Sequence, residues 1–394
     1  MHSMPHDHTS ARIKRLRRSR GLTQADLAGL AGISASLLTK VERGERPPTP
    51  YVIASLARAM QVDVATVTGQ PYVAELRADQ LDVLIRPIRE ALDVYDLGAD
   101  PEISPRPVQL LAADAEALLI AVRAGEIKQA AGLLPGLIQE VTTAAHAAPS
   151  DALWRLLAST YRSAYDVTSK LGYADLAAIA LARLEWAAER ASSATLGGMY
   201  RYFRALTYFR DGQYRTGQRL TDLGLSILLQ AEPGREREVV TGQLHLGAAV
   251  MAGRSRNGDL AEGHLAEAER IAAATGEAVE LHYLAFGPTN VRVHRVAVLA
   301  ELDQYGQAAQ QGREVVIPRD WPASRRSHHH AEVARAQMWT GDLEGSFQSL
   351  LRARKAAPQQ ARYHHTVRDT YAGLEAAHRL LPDSFQSYGS WLGV

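Results

Sequence analysis

The chain has 394 residues, with 44 Lys and Arg against 43 Asp and Glu, 46% hydrophobic residues and no cysteine. That length suits more than one domain, and the apolar share is enough for a substantial core. Without cysteine there are no disulfides or thiolate metal sites. No apolar run approaches the roughly 18–20 residues that cross a bilayer, so a cytoplasmic protein with no membrane partner is expected.

Residues 1–9 read as a disordered arm, because Met1 to His8 lacks the hydrophobic stretch of a secretory signal. Residues 10–69 read as a five-helix DNA-binding domain. Thr23 and Ser34 each precede a short apolar-periodic segment and are placed to cap its free N–H groups. Gly32 lies between the two segments, where a tight turn favours a residue without Cβ. Leu27, Leu30, Ile33, Leu38 and Val41 recur at helical spacing and are expected to face inward. That register turns Ser34, Ala35, Ser36, Thr39 and Lys40 outward, where a recognition helix meets base edges. Gln24 opens the preceding helix, at a position suited to a phosphate. Arg43 and Arg46 follow the recognition helix and read as backbone grips, and Arg17 in the basic first helix reads the same way. Residues 11–70 hold ten Lys and Arg against four acids on a chain of net charge +1. Such segregated charge is the electrostatic footprint of a phosphate-binding face.

The run RLRRSRGLTQADLAGLAGIS…LLTKVERGERPP resembles the Cro/C1-type, XRE-like helix-turn-helix family. The resemblance implies a double-stranded DNA operator as partner. Ala35 departs from it, standing where the family often carries a long polar residue. An alanine touches a thymine methyl but donates no hydrogen bond.

Residues 70–107 read as a connecting helix from Glu75 to Tyr95, bent near Pro87, and then a proline-rich linker over 98–107. Residues 108–394 read as helical throughout, giving an all-α chain. Turn signals recur at Gly125, Gly172, Gly212, Gly258, Asp303 and Gly341, a spacing of 38 to 47 residues. The Gly-Asp-Leu turns look most like tetratricopeptide repeats with lengthened helices, a stack whose concave face binds extended ligands.

The first helix of each pair is expected to line that face. It carries Tyr161 and Tyr165, then Arg201 and Arg204, His245, Tyr283 with Asn290 and His294, and finally His329. Tyrosine and arginine offer rigid area plus hydrogen bonds, which suits a binding surface, although single tyrosines also fill space between long helices. Asn290 and His294, four apart in the segment FGPTNVRVH, share a helix face, and an Asn amide pairs with a peptide backbone. His328, His329 and His330 point in different directions on a helix and read as no zinc site.

The whole chain is similar in architecture to peptide-sensing regulators of the Rap–Rgg–NprR–PlcR–PrgX type. It also looks like XRE-like tetratricopeptide regulators of GC-rich bacteria, including their FGPTNV…H segment. The resemblance implies a homodimeric regulator whose repeats bind an effector, a short peptide or a small metabolite. The alternative is a DNA-tethered scaffold for another protein. No phosphate-cradling loop, nucleophile elbow or carboxylate dyad is visible, so neither catalysis nor a cofactor is expected.

Overall fold

A computed structural model describes residues 9–377 and 383–394, and among these every regular element is a helix. The head comprises α1 (Thr9–Ser19), α2 (Gln24–Ala31), α3 (Ala35–Glu42), α4 (Pro50–Met60) and α5 (Val64–Thr68). Two connecting helices follow, α6 (Val73–Ala78) and α7 (Asp82–Asp93). Six antiparallel pairs come next: α8 (Val108–Ala124) with α9 (Ile127–Ala147), α10 (Asp151–Lys170) with α11 (Ala174–Arg190), α12 (Ala194–Arg210) with α13 (Tyr214–Leu228), α14 (Arg235–Arg254) with α15 (Gly258–Thr275), α16 (Pro288–Glu301) with α17 (Tyr305–Glu314), and α18 (Ala323–Thr340) with α19 (Leu343–Ala356). The chain ends in α20 (Pro358–Tyr363), α21 (His365–Ala377) and α22 (Asp383–Leu392).

The arm expected over 1–9 lies outside the described residues except for Thr9, which is already helical. The connecting helix also differs from expectation. It breaks at 79–81 rather than bending at Pro87, which sits inside α7. The cause is tertiary. Asp79 forms an ion pair with Arg362 (2.9 Å) and accepts a hydrogen bond from the Tyr363 hydroxyl, and these contacts hold a turn with Gln80 at φ 58°.

The turns marked in the sequence join the two helices of each pair. Gly125 and Gly212 adopt φ 79° and 71°, the left-handed region that costs a residue without Cβ least. The first helices lean on one another, α8 on α10, α12 on α14, α14 on α16 and α16 on α18, and α18 returns to α8. The stack is therefore a closed ring. Its seam is tight: a Cβ on Gly125 would fall 2.7 Å from the Cβ of Ala357, and the Lys128 N–H donates to Gln359 (2.9 Å).

The head sits over the turn edge of this ring. Arg58 donates to the Gly212 carbonyl (3.4 Å), Arg256 lies over the Tyr51 ring (5.7 Å) and Arg46 over Trp339 (5.2 Å). The Thr9 hydroxyl donates to Asp369 on α21 (3.0 Å). At the opposite edge, the loop 276–287 folds into the ring. It is pinned by a bridge between Ala278 and Phe286 and by the buried Phe286 ring against Gly242. No described helix is long and apolar enough to cross a membrane.

Candidate nucleic-acid interface

Helix α2 starts at a reciprocal cap. The Thr23 hydroxyl accepts from the Asp26 N–H and the Asp26 carboxylate accepts from the Thr23 N–H, both at 3.1 Å. It stops at Gly32, φ 65°. Ser34 then caps α3, accepting from the Leu37 N–H at 3.1 Å. These caps satisfy donors that a short helix leaves unpaired, a contribution of typically about 1 kcal/mol each. Beneath them Leu27, Leu38 and Val41 are fully buried with Ile13, Leu56 and Val67. Leu30, expected inward, is instead 64% exposed: at the end of α2 it passes beyond the reach of α3 and α4.

The outer face of α3 carries Ser34, Ala35, Ser36 and Lys40, all exposed, with Arg43 and Arg46 exposed just beyond. Lys14, Arg15 and Arg18 are exposed on α1, and Arg20 just after it. Thr39 is half-buried, its hydroxyl donating to the Ala35 carbonyl (2.9 Å) and contacting Gln24 (3.2 Å).

Two expected phosphate ligands do other work. Arg17 is buried, and its guanidinium clasps Glu42 at 2.6 and 2.9 Å while donating to the Leu22 carbonyl at 2.8 Å. Gln24 donates to the same Glu42 at 2.7 Å. Arg17 is thus corrected from a phosphate grip to an internal tie, and the Gln24 side chain is held inside the same network. Burial pushes the Glu42 carboxyl up, but the hydrogen bonds from Arg17 and Gln24 outweigh it and hold the group below its ordinary range. The network ties α1, α2 and α3 together and so sets the angle at which α3 is presented.

The expected effector residues do not converge on a common groove. Tyr161 and Tyr165 are 0% and 2% exposed and belong to the core between helices, which corrects their assignment to a binding surface. Asn290 is also fully buried, in a chain where it donates to Gln243 (3.1 Å) and Gln243 donates to the Tyr202 hydroxyl (2.8 Å). His329 is buried in α18. Arg201 pairs with Glu185 (2.9 Å), and Arg204 lies at the edge of the Tyr200 ring. His245 contacts His264 (3.0 Å), between the two helices of a pair. His294 does face the interior, its Nδ1 against the Asn290 carbonyl (2.9 Å), and burial lowers its pKa to about 3. Tyr283 lies on the 276–287 loop and donates to Glu116 of α8 beneath Arg123.

Sequence reading missed the groups that the ring does gather. Arg162, Asp166 and Lys170 form one stripe of α10, four residues apart, and Arg325, His328 and Glu332 form another on α18. The signal was present as charges at helical spacing on apolar helices. Only the closure of the ring turns the two stripes toward each other.

A helix-turn-helix domain family matches residues 10–68. The chain is 44% identical over 59 residues to an uncharacterized HTH-type transcriptional regulator, y4dJ, of Sinorhizobium fredii, covering 14% of this chain and 77% of that protein. It is 33% identical over 98 residues to the HTH-type transcriptional regulator RamB of Mycobacterium tuberculosis, covering 24% of this chain and 20% of that one. The chain thus spans about a fifth of the length of RamB in this match. Both similarities are short matches to regulators of one class. Through its N-terminal domain, the chain belongs to the helix-turn-helix transcriptional regulators.

Proposed function

We propose that the protein is a sequence-specific DNA-binding transcriptional regulator whose helix-pair ring binds an effector that modulates DNA binding. One observation carries the DNA half of this reading. The head is docked on the ring through α1, α4 and residues 44–50, yet the outer face of α3 stays exposed. A docked head with a free recognition face suits a DNA-binding domain whose aim is set by the domain beneath it. In this reading Ser36 and Lys40 meet base edges or phosphates, Ala35 packs on a thymine methyl, and Arg43 holds the backbone, while Arg46 is turned to Trp339 of the ring. A homodimer would set two such helices on half-sites about 34 Å apart.

The effector half is supported by the ring itself, whose interior is lined by ionisable side chains rather than by a dry core. A ligand that prefers one docking of the head would shift operator affinity by its preference and by no more. Catalysis has no part in the reading. The test is selection of genomic fragments on the purified chain, followed by retention assays with and without a dialysed cell extract. Enrichment of a common sequence, with retention altered by the dialysable fraction, supports both halves. No enrichment sinks the first, and an effect confined to the macromolecular fraction sinks the second in favour of a scaffold.

A further inference from the structure

Three cations inside the ring direct their hydrogen bonds to neutral carbonyls. Arg162, 6% exposed, donates to the carbonyls of His282 and Tyr283, its Nε makes no hydrogen bond, and Asp166 lies 3.8 Å away. Arg325 donates to the next carbonyl, that of Leu284 (3.3 Å). Lys170 donates to the Val122 carbonyl (3.3 Å). Two other internal arginines are matched by acids: Arg254 and Arg335 share Glu301, and Arg335 also holds Glu332. A buried cation facing neutral oxygens forgoes the stronger bond that an anion would give it.

The carbonyls in question belong to a strained loop. His282, Tyr283 and Ala285 have φ of 46°, 50° and 54°, each a conformation that an L side chain resists. Strain of this kind persists where surrounding contacts over-determine it. Here the contacts are the two arginines together with the Tyr283 hydroxyl on Glu116 and His282 on Glu236 (2.6 Å). The loop therefore presents consecutive carbonyls to Arg162 and Arg325 as an anion would present its oxygens. It also crosses the ring, leaving no straight path for an extended chain.

We propose that the ring interior between α10 and α18 binds a small molecule carrying at least two carboxylate or phosphate groups, gripped by Arg162, Lys170 and Arg325 and admitted as the 276–287 loop gives up its carbonyl contacts. This rests on the effector-sensing reading above and narrows it from peptide or metabolite to a compact polyanion. The electrostatics agree in direction. Burial lowers the Lys170 pKa, Asp166 opposes that shift, and Arg325, Arg162 and Arg210 add to it, so an arriving anion meets a cation whose charge its burial disfavours. Farther along α18, Arg335 lines a cleft with His365 and with Pro47 to Pro50 of the head, so the helix that carries Arg325 also meets the head.

The test is titration calorimetry of the full chain with citrate and with pyrophosphate, at ionic strength matched by chloride. One-to-one binding of either anion is expected, citrate alone marking a carboxylate ligand and pyrophosphate alone a phosphate one. Lys170→Met and Arg325→Met should each weaken it by more than about tenfold. They should also leave the melting temperature in anion-free buffer unchanged or raise it, since each removes a half-buried cation whose hydrogen-bond partner is a neutral carbonyl. Tyr283→Phe, which loosens the loop without touching the cations, should tighten binding. Absence of binding above the chloride control, or affinity unchanged in both Met variants, overturns the site while leaving operator binding untouched. Anion binding that leaves operator retention unaltered keeps the site and removes its regulatory role.

Discussion

Arg17 and Glu42 form a two-pronged ion pair that fastens the first helix of the head to the last residue of the recognition helix, with Gln24 as a third hand on the carboxylate. Removing one partner of a buried pair leaves the other charge uncompensated, at a cost of about 3–5 kcal/mol. Arg17→Ala is therefore expected to lower head stability by that order, measured by chemical denaturation. Because the Glu42 pKa is depressed in the fold, the pair's contribution is present above the carboxylate's ordinary value and is lost as pH falls through the depressed one. Arg17→Ala should flatten that acid limb.

Lys40 stands exposed on α3 with no such internal role. Lys40→Ala should leave the melting temperature unchanged and weaken DNA binding. If the ammonium meets a phosphate, the slope of log affinity against log salt falls by about one. An unchanged slope with lost sequence preference would place it on a base.

The head was legible in the sequence to the level of single caps. Thr23, Gly32 and Ser34 act locally, and a capping hydroxyl needs only its own next turn. Helix pairs were legible for the same reason, since each turn is short and announces itself by glycine or a polar triplet. What was not legible depends on closure. The sequence marks Arg17 as one basic residue among six between Arg12 and Arg20, and only the arrival of Glu42 on α3 sorts it from its exposed neighbours. Likewise Tyr161, Tyr165 and Asn290 look like groove residues on helices read singly. They are buried because the adjoining helices cover those faces, whereas Arg162 and Arg325 meet only through a loop that lies between them in space and not in sequence.

At the seam between head and ring, the Thr9 hydroxyl donates to Asp369, whose pKa burial raises to about 6 against the pull of that bond and of Arg12 and Arg368. A carboxyl raised in the fold contributes stability that is complete below its unfolded value and is lost as pH rises through the folded one. Docking of α1 on α21 should therefore loosen between about pH 4 and 6. Asp369→Asn should abolish that change, read by hydrogen exchange of α1.

His328 and His364 face each other at 3.0 Å, and burial, opposed by Glu332, lowers their pKa to about 4 and about 3. Both imidazoles stay neutral in the fold, so their contribution is present above the ordinary 6.5 and is lost as pH falls toward those values. The melting temperature of the ring should drop as pH falls below 6.5, and His364→Gln should shift the onset downward.

Asn290 donates to Gln243 in a fully buried chain. Asn290→Ala strands that Gln243 oxygen, at about 1–3 kcal/mol. The expected result is a less stable ring whose anion affinity is retained, checked by denaturation beside calorimetry.

The most direct measurement is the affinity ratio between a selected operator and a shuffled duplex of equal length, taken at fixed salt for the native chain and for Ser36→Glu. The account predicts a ratio of at least about 10³ for the native chain, collapsing toward unity when a carboxylate enters the exposed face of α3. A native ratio near unity, or one that survives Ser36→Glu, would contradict it.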